Sequence, residues 1–403
     1  MTGTGRRRLR QRLLILFLLA MTVPYTRQLV TSPTVGQDFR AFFAAATVVA
    51  QHGDPYDWPS LARVEAQLYD APRQLEPGDP AFYEFLAYPE GPWLAFALTP
   101  LTSLPWQLAD AIYVTLLLLV LVAGSFTVFT VLGWRPRRAW LGAACAALSA
   151  IGFINLFMGQ VSVIVFGAFV AAWYLAGRGH GWWAGLALAL IWLKPNIGLP
   201  LPLVIVLLQP AMARRVIAGF IAASAVAFGA ATVVLQAGFL EWPLQIPRMW
   251  QAVQGIQPDI ASIESFFYPG LQGWPKMAAL LLTMGAAAGY AAWALRRARD
   301  SQTRGLTLLL VWLAALPFVQ SYDMILLLPL VAVLLGPRLE GWADPLVEVT
   351  IWAFLIFPFC YFLGLRLGYF NGFTAIPVAL LLFAWHRRRI APAPAQLAPA
   401  VAA

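Results

Sequence analysis

Asp38 combines a chemically useful side chain with an unusual position in the chain. It lies in the tetrapeptide Gln37-Asp38-Phe39-Arg40, after the first long apolar run and near the start of a segment, 31–105, that is rich in acids and aromatics. A carboxylate at the edge of an apolar body can accept a proton from a substrate hydroxyl, which is general-base chemistry. The alternative is structural, because Asp directly before a helix is also a good N-cap.

Further polar groups occur at turns between short apolar runs. Lys194 ends the run 182–194, at the turn before the run 197–210. Such a run reaches only about 20 Å as a helix, whereas the hydrocarbon core of a bilayer is about 30 Å thick. Lys194 should therefore lie below the membrane surface and face protein or a water-filled cavity. Two similar turns carry Gly159-Gln160 and Gln320-Ser321-Tyr322-Asp323.

Turns at a similar depth predict one shared cavity, because irregular backbone inside a membrane needs protein or water around it. A lysine in such a cavity suits a phosphate, which it meets as a point charge with three donors. The predicted chemistry is transfer of a sugar from a lipid phosphate, with Asp38 as general base and Lys194 stabilising the departing phosphate. The other predicted donor-site residues are Gln160, Tyr322, Asp323 and Arg248, and the predicted acceptor or pocket residues are Arg40, Tyr88 and Glu90.

Each of these residues also has a simpler interpretation. Lys194 could extend its ammonium to the headgroups. Asp323 could pair with an arginine or cap the following helix. For Glu90 the simpler interpretation is a solvated loop residue rather than a second site carboxylate. Arg40 could form a structural ion pair, and Arg248 could contact only lipid headgroups.

The composition identifies the class of protein. The 403 residues are 61% hydrophobic and 11% charged, whereas a soluble domain carries roughly 25% charged residues. The chain is therefore predicted to be an all-α polytopic membrane protein with about twelve transmembrane helices. The net charge of +9 does not predict nucleic-acid binding, because of how the charge is distributed. The predicted spans are 13–30, 106–132, 139–156, 161–176, 182–194, 197–210, 216–238, 275–295, 305–319, 323–336, 346–363 and 371–385.

The loops between these runs alternate in charge. One alternate set carries 19 of the 27 basic residues, and the other, together with the span ends next to it, carries about 14 of the 18 acids. Positive charge stays on the cytoplasmic side, so both termini are predicted to be cytoplasmic and Asp38 extracytoplasmic. The N-terminal Arg-rich segment 1–12 with its apolar run is predicted to be a retained signal anchor rather than a cleaved signal peptide. The membrane domain is 13–385, and a cytoplasmic Ala/Pro-rich tail covers 386–403.

Two long loops lie on the predicted outer face, 31–105 and 239–274. In the first loop, residues 38–51 read as an interfacial helix with an apolar stripe that includes Phe39, Phe42 and Phe43. Residues 61–69 read as a second helix and 93–104 as a short apolar helix. No internal repeat is evident, and long loops on one face favour a catalytic or binding face.

The sequence lacks the residue patterns that several alternative chemistries require. The three histidines, His52, His180 and His386, fall in separate loops and form no metal triad. Cys145 and Cys360 lie in apolar runs and show no ligand spacing. The sequence contains no phosphate-binding Gly-rich motif of the kind that an ATP-driven pump would carry. We expect no cofactor beyond a lipid-phosphate sugar as co-substrate, although a divalent ion held by Asp38 and Asp323 stays open.

The chain resembles glycosyltransferase family 87, which includes polyprenyl-phosphate-mannose-dependent mannosyltransferases. The motifs that carry the resemblance are Gln37-Asp38-Phe39, Gly53-Asp54-Pro55-Tyr56, Tyr88-Pro89, Gly159-Gln160 and Leu193-Lys194-Pro195. The resemblance implies a GT-C-like fold and an inverting transferase of the cell envelope, in a bacterial-type inner or plasma membrane, with Asp38 as the base. It departs from the family at Glu90, where Tyr-Pro-Pro is frequent, and at Ser321-Tyr322-Asp323, where mannosyltransferases can carry histidine.

The expected partners are a polyprenyl-phosphate sugar, with mannose as the expected sugar, a glycolipid or glycan acceptor, and the lipid bilayer. Two other functions remain open at this point. One is a secondary transporter or flippase, which usually shows internal repeats and a site at the midplane. The other is a non-catalytic scaffold or lipid-binding subunit, in which Asp38→Asn would have no effect on function.

Overall fold

The computed structural model describes residues 3–31, 36, 38–68, 88–235, 242, 273–317, 319–356 and 372–390. Over these ranges the chain is helical and forms no β-sheet. The α-helices are Gly3–Thr31, Phe39–Ala50, Trp58–Leu68, Pro92–Leu98, Trp106–Val131, Pro136–Leu148, Ala150–Met158, Ser162–Gly177, Gly181–Leu188, Pro195–Gly198, Leu201–Leu208, Ala213–Leu235, Gly273–Arg297, Ser301–Ala315, Leu328–Leu335, Pro345–Ile356 and Gly372–Trp385. Short 3₁₀-helices are Thr99–Ser103, Ala189–Leu193, Pro210–Met212, Ser321–Leu327 and Glu340–Ala343, and a π-helix is His386–Ile390.

Each of the twelve predicted runs contains helix, but few of the helices are long enough to span a bilayer. By length and composition, Trp106–Val131, Pro210–Val234 and Gly273–Arg297 qualify, and a bent pair of helices brings the number to four in the described part of the chain. The pair, Pro136–Leu148 and Ala150–Met158, bends by 56° at Ser149, whose side chain caps the second helix. These helices mark a membrane protein, and the count of twelve spans stays a prediction.

Large apolar side chains also cover much of the outside of the molecule. Leu119, Ile221, Val226 and Leu282 are each at least 59% exposed. A soluble monomer rarely exposes contiguous apolar surface, whereas lipid tails match such side chains well. Two of the helices that carry them also hold fully enclosed residues, Leu121 and Val216.

The helix Phe39–Ala50 is more deeply buried than its sequence pattern predicts. The predicted stripe, which includes Phe39, Phe42 and Phe43, is almost completely enclosed, and Ala41, Ala44 and Ala45 beyond the stripe are buried too. An interfacial helix would leave one face to headgroups and water. The helix therefore has little surface left for headgroups, because small alanines allow neighbouring elements to pack against several sides, and its position relative to the membrane stays a prediction. The predicted helices at 61–69 and 93–104 occur as Trp58–Leu68 and as Pro92–Leu98 with Thr99–Ser103.

The helices Gly181–Leu188 and Ala213–Leu235 approach each other very closely. A Cβ atom added at Gly185 would lie 2.2 Å from the Val216 carbonyl oxygen, and one at Gly219 would lie 2.3 Å from that of Trp182. Small residues at facing positions let helix backbones come together in membranes. This contact anchors the chain that continues through Ala189–Leu193 to Lys194.

Candidate active site

Asp38 immediately precedes the helix Phe39–Ala50, but its side chain makes no capping hydrogen bond to that helix. Its backbone N–H donates to the Met158 carbonyl over 2.8 Å. Its carboxylate accepts a hydrogen bond at Oδ2 from Gln160 Nε2 and is half-buried. The N-cap interpretation is therefore only positional, and the carboxylate is held toward a different part of the chain.

The Gly159-Gln160 turn brings Gln160 to Asp38. Gly159 ends the helix Ala150–Met158 in the left-handed conformation, with φ of 70°, which glycine adopts without the steric penalty of a Cβ. Added there, a Cβ would lie 3.1 Å from the Cα of Gly36. Two backbones thus meet at this point, and the Gln160 N–H donates to the Asn155 carbonyl over 2.9 Å.

One helix end supports both of these segments. Near the start of Trp106–Val131, Asp110 accepts the Gly36 N–H at Oδ1 over 3.0 Å. One turn later, the Tyr113 hydroxyl donates to the Gly159 carbonyl over 3.1 Å, and its ring stacks on Phe39 with centroids 4.6 Å apart. Asp110 was not predicted as a site-supporting residue. Its signal was an acid inside an apolar run, where a buried charge needs a partner.

Lys194 is buried rather than extended to a membrane surface, with 7% of the residue exposed. Its ammonium donates to Asp323 Oδ1 over 2.8 Å, Ser162 Oγ over 3.1 Å and Gln160 Oε1 over 3.5 Å. It also lies 4.2 Å from the centroid of the Tyr322 ring, within range of a cation–π interaction. The headgroup interpretation of Lys194 is therefore wrong.

Asp323 is the acidic partner of that ammonium and is fully buried. Its Oδ1 accepts from Ser162 Oγ over 2.6 Å, and its Oδ2 accepts from the Gln320 N–H over 2.9 Å. The second bond belongs to a capping box at the start of the 3₁₀-helix Ser321–Leu327. Asp323 therefore caps a helix and pairs with a cation, although the cation is Lys194 rather than an arginine.

Two residues that hold these groups were not predicted. Ser162 contacts both Lys194 and Asp323. Asn155 is fully buried and donates at Nδ2 to the Tyr322 carbonyl over 2.9 Å. The only signal for either residue in the sequence is a polar side chain inside an apolar run. The partner of Ser162 lies more than thirty positions away along the chain, and that of Asn155 lies 167 positions away.

Tyr88 and Glu90 lie in a non-helical turn before Pro92–Leu98. Tyr88 is fully buried, and its hydroxyl donates to the Gly91 carbonyl over 2.6 Å and accepts from the Ala95 N–H over 3.1 Å. These bonds fix the position of Tyr88, and its predicted place in the pocket wall stays a prediction. Glu90 is 8% exposed, so its prediction as a solvated loop residue is wrong. The charges of Lys194, Asp323 and Asp38 act on its carboxyl.

The predicted roles of the two arginines stay predictions. Arg40 is half-buried on Phe39–Ala50, two residues beyond Asp38, and its role stays a prediction. Arg248 lies outside the described residues. The described part of the chain holds no group of three His, Cys, Asp or Glu side chains that could bind a metal ion.

The cluster brings together five of the predicted residues, which come from four separate stretches of the chain: Asp38, Gln160, Lys194, Tyr322 and Asp323. The Gln160 amide joins the two ends, because its nitrogen contacts the Asp38 carboxylate and its oxygen contacts the Lys194 ammonium. A half-buried base one amide away from a buried cation can serve a reaction in which an alcohol loses a proton while an anion departs.

The family model of glycosyltransferase family 87 matches residues 85–321. This range is more than half of the chain, and the chain belongs to that family. The match makes the protein a membrane glycosyltransferase. It contains Gln160 and Lys194, ends two residues before Asp323, and begins after Asp38. No curated protein and no solved structure matches the chain.

Proposed function

We propose that the protein transfers a sugar from a polyprenyl-phosphate donor to an extracytoplasmic glycolipid or glycan, with inversion at the anomeric carbon. The observation that carries this proposal is the link from Asp38 through Gln160 to Lys194. A sugar phosphate has an electrophilic carbon next to an anionic leaving group. A base and a cation held at the two ends of one amide can act on the attacking hydroxyl and on the leaving phosphate, respectively.

In the proposed step, the Asp38 carboxylate accepts the proton of an acceptor hydroxyl. The oxygen forms a bond to the anomeric carbon, and the bond from that carbon to the phosphate oxygen breaks. The electron pair leaves with the phosphate, and the Lys194 ammonium stabilises the charge that develops there. The half-buried state of Asp38 supports the role of base, because an acceptor can reach it.

The buried environment of Lys194 supports the role in phosphate binding. An ammonium in a medium of low polarity attracts an anion more strongly than one in water. Its contacts with Asp323, Ser162 and Gln160 fix its position before the donor arrives, so little reorganisation is needed during the reaction. Tyr322 adds a ring face beside the ammonium, and Arg248 and Arg40 remain proposed contributors.

We further propose a GT-C-like arrangement of about twelve spans, with both termini cytoplasmic. The site then faces the outside, where a lipid-linked donor enters from the outer leaflet. The alternation of charged loops supports this orientation. Among the sugars, mannose is the first to test because the family includes mannosyltransferases.

The test is a transfer assay on the purified full-length protein in liposomes. The donors are polyprenyl-phosphate mannose, arabinose and glucose, with nucleotide sugars as comparison, and the products are analysed by mass spectrometry. The proposal expects transfer from a lipid-phosphate donor and none from a nucleotide sugar. Uptake or flipping of the donor without transfer would contradict it and would favour the transporter interpretation.

A further inference from the structure

The turn that carries Glu90 is fixed by aromatic side chains at three consecutive carbonyl groups. The Pro89 carbonyl accepts from Trp242 Nε1 over 3.2 Å. The Glu90 carbonyl accepts from the Tyr56 hydroxyl over 2.9 Å, and the Gly91 carbonyl accepts from the Tyr88 hydroxyl over 2.6 Å. Non-helical backbone away from water needs such partners. These bonds leave the backbone at Glu90 little freedom, so the side chain leaves it in a defined direction.

The Glu90 side chain is buried, with 8% of the residue exposed, and the Lys194, Asp323 and Asp38 charges of the candidate site act on its carboxyl. Its pKa is raised from 4.5 to about 8, chiefly by burial; the Lys194 ammonium lowers it, and the Asp323 and Asp38 carboxylates raise it. A carboxylate is costly in a buried, low-polarity position, and such a group tends to hold its proton. The phenols that also sense the Glu90 charge belong to Tyr56, Tyr88 and Tyr113.

The charges of the site show why a neutral carboxyl matters. Asp38 and Asp323 carry two negative charges and Lys194 carries one positive charge, so these three groups sum to one negative charge. A sugar phosphodiester brings one more negative charge. An ionised Glu90 would bring the sum to three negative charges and would repel the donor in a medium of low polarity. A neutral carboxyl avoids that repulsion and can donate an O–H to a phosphate or sugar oxygen.

We propose that Glu90 is a third acidic residue of the site and binds the anionic donor in its neutral form, so that protonation of this side chain admits the donor. The inference rests on the proposed function, because it assumes a phosphodiester substrate in the same pocket. Glu90 is then a specificity-determining residue: it selects donors by charge and contributes its proton to a hydrogen bond rather than to the leaving group.

The first test measures donor affinity against pH with the farnesyl phosphodiesters of mannose, arabinose and glucose, whose single charge is constant from pH 6.5 to 9. Only about a tenth of the Glu90 side chains remain neutral at pH 9, so wild-type affinity should fall about tenfold over this range. Glu90→Gln cannot ionise and should reduce the fall to less than about threefold. Glu65→Gln, which removes another buried glutamate of residues 38–68, should keep the full fall.

The outcomes separate this inference from the proposed function. Binding by the wild type that is equal at both pH values, or a full tenfold fall in Glu90→Gln, would overturn the role of Glu90 and leave the transferase intact. Failure of the wild type to bind any of the three diesters at either pH would overturn both.

A second measurement does not depend on substrate. The folded protein holds the Glu90 proton between pH 4.5 and about 8, whereas the unfolded chain has lost it. The contribution of this group to the free energy of unfolding is therefore greatest below pH 4.5 and declines as the pH rises to about 8. The midpoint of thermal unfolding in detergent should fall less over that range in Glu90→Gln than in the wild type. Identical pH dependence in the two proteins would contradict a neutral buried Glu90.

Discussion

The Asp38 end of the site is held largely at its backbone, with one side-chain bond from Gln160 to the carboxylate, whereas the Lys194 end is held by side-chain contacts. Around Asp38, the Met158 carbonyl and the close approach of Gly36 to Gly159 fix the backbone. The carboxylate itself stays half-buried. Around Lys194, the ammonium and its partner Asp323 are both buried and hold each other.

This difference matches two different demands on the groups. A general base must keep a lone pair available for a substrate, so its position is best fixed through its backbone. A cation that meets a leaving phosphate must be in place before charge develops, so it is best fixed by neighbouring dipoles and charges. Variants that remove the support of only one of these groups should therefore show how that support contributes to the free energy of unfolding and how it contributes to transfer.

The largest effect is expected from breaking the buried pair. Lys194→Ala leaves Asp323 buried without its cation, which should lower the free energy of unfolding by about 3–5 kcal/mol and abolish transfer. Replacing both partners, as in Lys194→Met with Asp323→Leu, should recover most of that stability, because an apolar pair of similar size avoids the desolvation penalty. Transfer should stay absent. Denaturation in detergent and the transfer assay measure the two properties. Recovery of transfer in the double variant would show that the ammonium is not needed for the leaving group.

Asp110 tests the backbone support of Asp38. Asp110→Ala removes the acceptor of the Gly36 N–H, and an unsatisfied buried donor costs about 1–3 kcal/mol. Asp110→Asn keeps a side-chain oxygen and serves as the matched control. We expect Asp110→Ala to lower kcat while leaving donor KM almost unchanged, since the Lys194 end is intact. A rise in donor KM with unchanged kcat would show that Asp110 supports the donor side instead.

The smallest of the three effects is expected at Gly159. An alanine there must keep a left-handed conformation and place its Cβ 3.1 Å from a backbone atom of Gly36. The conformation alone costs about 1 kcal/mol. Gly133 also has a positive φ, but no atom lies near its added Cβ, so Gly133→Ala is a control for the conformational cost. Both variants should lose stability, Gly159→Ala the more because of its contact with Gly36, and only Gly159→Ala should slow transfer. Equal transfer rates in both would mean that the contact between Gly36 and Gly159 does not position Asp38.

Part of this site could be predicted from the sequence because short apolar runs locate buried turns. The short runs locate the turns that carry Gln160, Lys194 and Asp323, and the structure brings these three side chains together. Asp54 and Asp57 each accept a nearby backbone N–H, as acids at turns commonly do. These features depend on local geometry or on membrane thickness.

The remaining features depend on contacts between distant segments. The burial of Glu90 results from aromatic residues at positions 56, 88 and 242 that meet on one turn, and no local pattern shows that meeting. Asp110 and Ser162 are single polar residues in apolar runs, so their partners could not be assigned from spacing. The depth of Phe39–Ala50 also depends on what packs against its alanines, which its periodicity does not contain.

The central claim is that the Asp38 carboxylate removes the acceptor proton. The most direct measurement is single-turnover transfer from a polyprenyl-phosphate sugar by the wild type and by Asp38→Asn. Asparagine keeps the backbone bond to Met158 and the size of the side chain but cannot act as the base. We expect Asp38→Asn to bind the donor normally and to transfer the sugar about 10²–10⁴-fold more slowly. A rate for Asp38→Asn within a few-fold of the wild type would contradict it.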